Sequence, residues 1–195
     1  MEKIIPRWEW RTFGKDLTRG ETNIRKHPPG KTRESSEIYI LSQRSNDNTK
    51  IRDELMDIKT LLRVNSDGLE QWTPIMKAGF PIHIIDLAVV YKAFNLKYPY
   101  FERDEYNYRQ YLNGLIEPAK ELRIVQVFKK RHGYTVNDCI VEIAEVRFDQ
   151  YETKTIAVEH TNPELVIQTV RELELSDFEN INYIKVMKQS VGMEH

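Results

Sequence analysis

Charged residues recur at every second position in several short stretches of this chain. Arg7, Glu9 and Arg11 alternate with Trp8 and Trp10. Lys50 and Arg52 flank Ile51, Asp57 and Lys59 flank Ile58, and Lys129 and Arg131 flank Lys130. Glu142 and Glu159 fall in stretches that alternate in the same way. A period of two places such residues on one face of a β-strand. Lysines and arginines gathered on a common surface bind a polyanion, arginine through bidentate contacts with phosphate oxygens. Carboxylates set among them offer hard oxygen ligands to a divalent cation. Together the two sets suit a site for a polyanion beside a divalent cation.

The elements that must position these residues can be read from the same alternation. Arg7 to Phe13 reads as a strand ended by Gly14. Further strands are expected at Ser36 to Leu41, Thr49 to Asp53, Met56 to Leu61, Leu122 to Lys130, Asn137 to Phe148 and Thr153 to His160. Tight polar turns such as Ser45-Asn46-Asp47-Asn48 indicate an antiparallel meander. Pro81 to Leu96 and Asp104 to Ile116 carry helical spacing instead, with Pro81 suited to a first turn. Asn162-Pro163-Glu164 is a helix start that should run to about Leu175, and Asn180 to Lys188 fits a closing helix. Lys15 to Arg33 is polar, holds Gly20, Gly30 and Pro28-Pro29, and reads as a long loop. Its basic residues, Lys15, Arg19, Arg25, Lys26, Lys31 and Arg33, suit either a solvated loop or a lid over an anion site.

One domain spanning 1–195 is expected at this length, with an α+β architecture built on a large antiparallel sheet. Two sheets are compatible with the alternation. An open one sends the charged face to water. A closed or nearly closed barrel gathers it in a lumen, with helices packed outside. The 29 Lys and Arg balance 30 Asp and Glu, which argues against a nonspecific nucleic-acid coat and is silent about a local basic cavity.

The lone Cys139 excludes an internal disulfide and a cysteine-based zinc site and suggests a reducing compartment. The five histidines, His27, His83, His132, His160 and His195, have no pair at metal-ligand spacing. The N-terminal stretch lacks the apolar run of a signal peptide. The most hydrophobic run, Ile82 to Tyr91, is broken by His83 and Asp86 and falls far below the roughly 18 residues of a membrane helix. A cytoplasmic protein without a membrane partner is expected.

The order of these charged pairs resembles the CYTH superfamily, the triphosphate tunnel metalloenzymes. That family opens with E-x-E-x-K, followed by an R-x-R-like pair, a single Lys, a K-x-R, an acid-bearing strand and a final E-x-E before a helix. The matching stretches are Arg7 to Arg11, Lys50-Ile51-Arg52, Lys59, Lys129-Lys130-Arg131, Glu142 to Val146, and Ala157-Val158-Glu159. The resemblance covers nearly the whole chain and implies a closed barrel of about eight strands. It departs from the family at Arg7, at Arg11 in place of Lys, at Ala144 and at Ala157.

For function, the resemblance implies a tunnel that binds triphosphate or polyphosphate, or a metal-dependent triphosphatase acting on inorganic or organic triphosphates. Phosphate binding falls to Arg7, Arg11, Lys50, Arg52, Lys59, Lys129 and Arg131. Glu9, Glu142 and Glu159 would hold one Mg²⁺ or Mn²⁺ and, with Lys59, serve catalysis; cyclisation is the lesser reaction. The missing acids equally suit a non-catalytic module that binds a phosphorylated ligand. A third reading is an interaction protein with a partner surface at Trp72, Tyr98, Tyr100, Phe101, Tyr106, Tyr108 and Tyr111. Pairing into a homodimer is left open.

Overall fold

The alternation is realised as eight antiparallel strands that close on themselves. In the computed structural model, which describes residues 5–193 and so excludes His195, β1 (Trp8–Gly14) pairs with β10 (Tyr151–His160). β10 pairs with β9 (Cys139–Phe148), and β9 with β8 (Leu122–Val136). From β8 the order continues through β2 (Pro29–Ser42), β3 (Asn48–Arg52), β4 (Leu55–Val64) and β5 (Glu70–Gly79), which returns to β1. Two hairpins turn on paired residues with positive φ, Asp53–Glu54 and Asn137–Asp138. That geometry matches the twist of the flanking strands. Closure is thinnest between β1 and β5, where Trp8 opposes Gln71 and Glu9 opposes Glu70.

The outer faces of the strands are apolar, and helices cover them on two sides. Trp8, Trp10, Val141, Ile143, Ile156 and Val158 form one core with Leu17 and Ile24 of the α1 region (Thr18–Ile24) and Val166 and Val170 of α4 (Pro163–Glu172). Asn162 caps α4 through the Glu164 amide, with Pro163 at its first position, as the sequence indicates. Ile40, Ile51, Met56 and Ile58 form the second core. It includes Leu87 and Val90 of α2 (Ile84–Ala93) and Tyr111 of α3 (Tyr108–Tyr111), which continues through a wider turn over Leu112–Ile116. A small two-stranded sheet, β6 (Ile82–His83) and β7 (Glu105–Tyr106), flanks α2 in sequence.

The third core lies on the opposite strand faces. Tyr39, Leu41, Val125, Val127, Ala144, Val146 and Phe148 pack against Tyr183, Ile184, Val186 and Met187 of α5 (Tyr183–Ser190). By strand parity this is the inner face, shared with Glu37, Lys129 and Glu142. The chain reaches it at the thin seam: the Ile181 amide donates to the Arg11 carbonyl, and Asn180 and Asn182 bond Gly68 and Glu70 across the gap. At the far end of α5, Lys188 donates to Ser45 and Asn46 in the β2–β3 turn. Four helices thus cover the outside and α5 stoppers one end of the lumen.

Two segments differ from the expectation. Lys15 to Arg33 is not a loop: it holds α1 and the first residues of β2. Leu17, Gly20 and Ile24 are buried at helical spacing, a short apolar stripe hidden among polar residues. A Cβ on Gly20 would meet Leu175 Cδ2 at 2.4 Å. β5 has no counterpart in the expected strands; Pro74 interrupts it and the β4–β5 register shifts beside that residue, which blurs the period-two signal.

Candidate ligand-binding tunnel

Three neighbouring strands build the most densely charged part of the lumen. Glu37 on β2 has no side-chain exposure, yet four cations surround it. Lys129 Nζ lies 3.0 Å and Lys50 Nζ 3.7 Å from one carboxylate oxygen. Arg52 Nη1 lies 3.6 Å and Arg131 Nη2 4.0 Å from the other. Lys50 and Arg52 come from β3 and Lys129 and Arg131 from β8, the two strands flanking β2. Ser35 donates to Glu37 at 3.1 Å and accepts from Arg131 at 3.0 Å, and Lys129 donates to Tyr39 Oη at 2.7 Å.

Burial opposes ionisation of Glu37, but the ammonium groups of Lys129 and Lys50 prevail and hold its carboxyl at about 2. Burial pushes Lys129 down to about 7, Glu37 pulling the other way and Lys50 and Arg11 adding repulsion. Lys129 is therefore the cation most readily lost as pH rises. Four cations on one carboxylate leave this region positive.

A second cluster centres on Arg11, whose side chain is 7% exposed. Its Nε donates to Glu9 at 2.7 Å and its Nη1 to Thr155 at 3.2 Å. Nη1 lies 3.8 Å from Glu142, and Nη2 lies 4.0 Å from Glu159. The guanidinium also sits over the Tyr183 ring, 4.6 Å from its centroid. Glu9 and Glu159 oppose one another on β1 and β10. Burial and the neighbouring Glu9 charge push Glu159 up to about 7, whereas Arg11 overcomes burial to hold Glu9 below its ordinary range.

No protein-family model and no curated protein matches the sequence. Solved structures do match. HpAC1 from Hippeastrum, for which a dominant triphosphatase activity is described, superposes with a TM-score of 0.53 at 12% identity, covering 97% of this chain and 99% of its own. The protein bh2851 from Bacillus halodurans, described in connection with adenylate cyclases, gives 0.52 at 15%, covering 91% and 95%. PH1012 from Pyrococcus horikoshii OT3 gives 0.51 at 16%, covering 91% and 98%. This chain shares the fold of these structures, a closed eight-stranded antiparallel barrel with helices packed on it.

The barrel divides the residues anticipated from the sequence into two groups. Lys50, Arg52, Lys129 and Arg131 converge on Glu37, while Arg11 gathers Glu9, Glu142 and Glu159. The charge of Lys59 is felt at both Glu9 and Lys50, so it bridges the groups. Arg7 is half-exposed at the mouth, 4.0 Å from Glu159. The aromatic set is split by burial: Tyr106 and Tyr111 are core residues and Tyr98 and Tyr100 are exposed, although Tyr98, Phe101 and Tyr106 are in ring contact.

Sequence reasoning passed over Glu37, Tyr39 and Tyr183. The first two share a strand face with Ser35 and Leu41, but one acid in an apolar strand carries no signal without its cross-strand partners. Tyr183 belongs to a helix whose inner position no local pattern announces. Arg33 also changes place, from the expected lid to a ladder position directly opposite Arg131.

The divalent ion implied by the resemblance does not fit the residues present. Among the described residues no group of three or more His, Cys, Asp or Glu side chains is arranged to hold a metal. Glu9, Glu142 and Glu159 face one another as expected, but the Arg11 guanidinium is already seated between them. Ala144 and Ala157 supply no further oxygen. Two donors in the tunnel wall, Arg131 Nε and Tyr183 Oη, have no hydrogen-bond partner among the described residues.

Proposed function

We propose that the tunnel binds a triphosphate or polyphosphate chain, with Lys50, Arg52, Lys129 and Arg131 gripping phosphates and Lys59 and Arg7 extending the cationic path. The observation carrying this reading is the convergence of four cations from two strands around one wholly buried carboxylate. A buried excess of positive charge is costly without counter-ions, and a phosphate chain supplies them. The unpaired Arg131 Nε and Tyr183 Oη offer donors to the same ligand, removing a penalty of about 1–3 kcal/mol each. Arginine's planar fork favours phosphate over a simple halide.

Hydrolysis is the reaction the site would perform on such a ligand. The triphosphatase activity described for HpAC1 supports it by fold alone. In this reading Lys59 and the cation ring hold the transferring phosphoryl group and neutralise its charge. Glu159, held near pH 7, would take or give a proton at the mouth side of the cluster. The Mg²⁺ or Mn²⁺ of the family does not enter, because Arg11 holds the place between the carboxylates. Cellular placement in the cytoplasm and a single domain accord with this reading; no helix among the described residues is long and apolar enough to cross a membrane.

Calorimetric titration with tripolyphosphate tests the binding. The parent protein should bind saturably, and a Lys50→Ala, Arg52→Ala double variant should lose about 10²-fold or more in affinity, the range for two charge-assisted phosphate contacts. Equal affinity of the two proteins would remove the basis of the proposal. Phosphate release in the same samples separates turnover from binding alone.

A further inference from the structure

We infer that Arg11 is a built-in replacement for the divalent cation, so that this tunnel takes its phosphate ligand without metal. The inference rests on the triphosphate reading for its ligand, but its main premise is the geometry around Arg11. Three carboxylates from three strands turn toward one buried guanidinium: Glu9 at 2.7 Å, Glu142 at 3.8 Å and Glu159 at 4.0 Å. Carboxylates so close together repel unless a cation lies among them. Arg11 supplies that cation covalently, and its neighbours raise its pKa further above an already high value. It cannot be titrated away or chelated.

The ladder shows how the guanidinium reaches this place. Arg11 on β1 is directly opposite Ala157 on β10, and Ala157 is directly opposite Glu142 on β9. A side chain from Arg11 must pass over position 157 to approach Glu142, and alanine leaves that path clear. A carboxylate there would stand in the way. The substitutions at 11 and 157 are therefore one change read at two positions: an oxygen ligand is lost and a longer, forked cation fills the space. Thr155 and the Tyr183 ring fix the fork, by a hydrogen bond of 3.2 Å and a contact of 4.6 Å.

Mg²⁺ requires oxygens at about 2.0–2.1 Å around a single point. Here the facing oxygens of all three glutamates are directed to different nitrogens of one planar group. A metal ion entering the cluster would have to displace Arg11 and leave a buried guanidinium without its carboxylate partners, which is strongly unfavourable. Against this stands the permanent presence of Arg11 at no entropic cost of capture.

Manganese alone, titrated into the intact protein and followed by the electron paramagnetic resonance of free Mn²⁺, tests the premise without any triphosphate. No saturable uptake sensitive to Glu159→Gln is expected at millimolar metal. Saturable uptake lost in the Glu159→Gln variant would overturn the inference. The variant Arg11→Ala, where it folds, should gain manganese binding; the parent titration decides the matter where it does not.

A second arm titrates tripolyphosphate in EDTA and in excess Mn²⁺. Binding in EDTA at least as tight as in metal supports the inference, and binding that requires metal overturns it. Absence of binding in both buffers would instead overturn the triphosphate reading, leaving the manganese titration to judge Arg11.

Discussion

Glu37 illustrates how much one residue can control in a closed lumen. Its carboxylate is wholly buried and is the shared counter-ion of Lys50, Arg52, Lys129 and Arg131. A Glu37→Gln substitution should destabilise the free protein by about 3–5 kcal/mol, the usual result of removing one partner from a buried ionic group. The four cations then lack their internal anion, so tripolyphosphate should raise the melting temperature more in this variant than in the parent. A ligand-induced shift no larger than the parent's would place the phosphates elsewhere.

Lys129 carries a pH dependence of definite sign. Burial lowers its pKa to about 7, so the ammonium form that grips phosphate is present below that pH and lost above it. Affinity for tripolyphosphate should fall as pH rises through 7, by up to about tenfold per unit for one linked proton. In a Lys129→Arg variant, always charged, the fall should become shallower when the two titrations are compared between pH 6 and 9. An unchanged slope would assign the dependence to another group. These residue-level roles were half legible in the sequence: alternation identified Lys50, Arg52, Lys129 and Arg131, but only cross-strand register reveals that Glu37 joins them.

At the scale of elements, the strands were the most readable because their helix-covered outer faces and their lumen faces differ in chemistry along many stretches. β1, β3 and β10 appear close to their expected positions, and α4 begins at its anticipated Asn162 cap. Besides the unanticipated β5, the misread element is α1, whose polar residues outweigh a stripe of three buried positions. Gly20 marks why that helix can sit so near the sheet. Ile156 Cδ1 and Leu175 Cδ2 lie 3.1 and 2.4 Å from where its Cβ would be. Gly20→Ala should therefore cost about 1–3 kcal/mol, as overpacking of a dense core does, despite alanine's better helix propensity. Urea unfolding of the two proteins measures it; a neutral or stabilising effect would show that α1 shifts freely on the barrel.

The position of α5 lies beyond local pattern altogether. Its apolar residues fit an ordinary surface helix, and the expectation of helices outside the barrel follows naturally. What directs it inward is long-range: a seam between β1 and β5 held by two residue pairs, and inner strand faces that become apolar at Leu41, Val127, Val146 and Phe148. The same strands are charged further along, so one lumen has a greasy end closed by α5 and a polar end left to a ligand.

At the scale of the whole molecule, near-neutral total charge conceals a segregated interior. Cations from β1, β3, β4 and β8 face inward; four of them meet the single carboxylate of Glu37, whereas Glu9, Glu142 and Glu159 gather on Arg11. Closure of the sheet brings those faces together from positions more than a hundred residues apart, which explains why composition alone indicated no anion partner. A groove outside the barrel, lined by Tyr98, Tyr100, Arg103, Lys97 and Arg44 among others, also presents cations. The lumen reading requires that it not be the main phosphate site.

A crystal structure of the protein with tripolyphosphate, grown in EDTA, tests the central claim most directly. Phosphate oxygens should lie about 2.7–3.1 Å from the side-chain nitrogens of Lys129 and Arg131, inside the barrel, with Arg11 still seated among its three glutamates. A triphosphate found only in the outer groove, or an empty lumen at saturating ligand, would contradict the account.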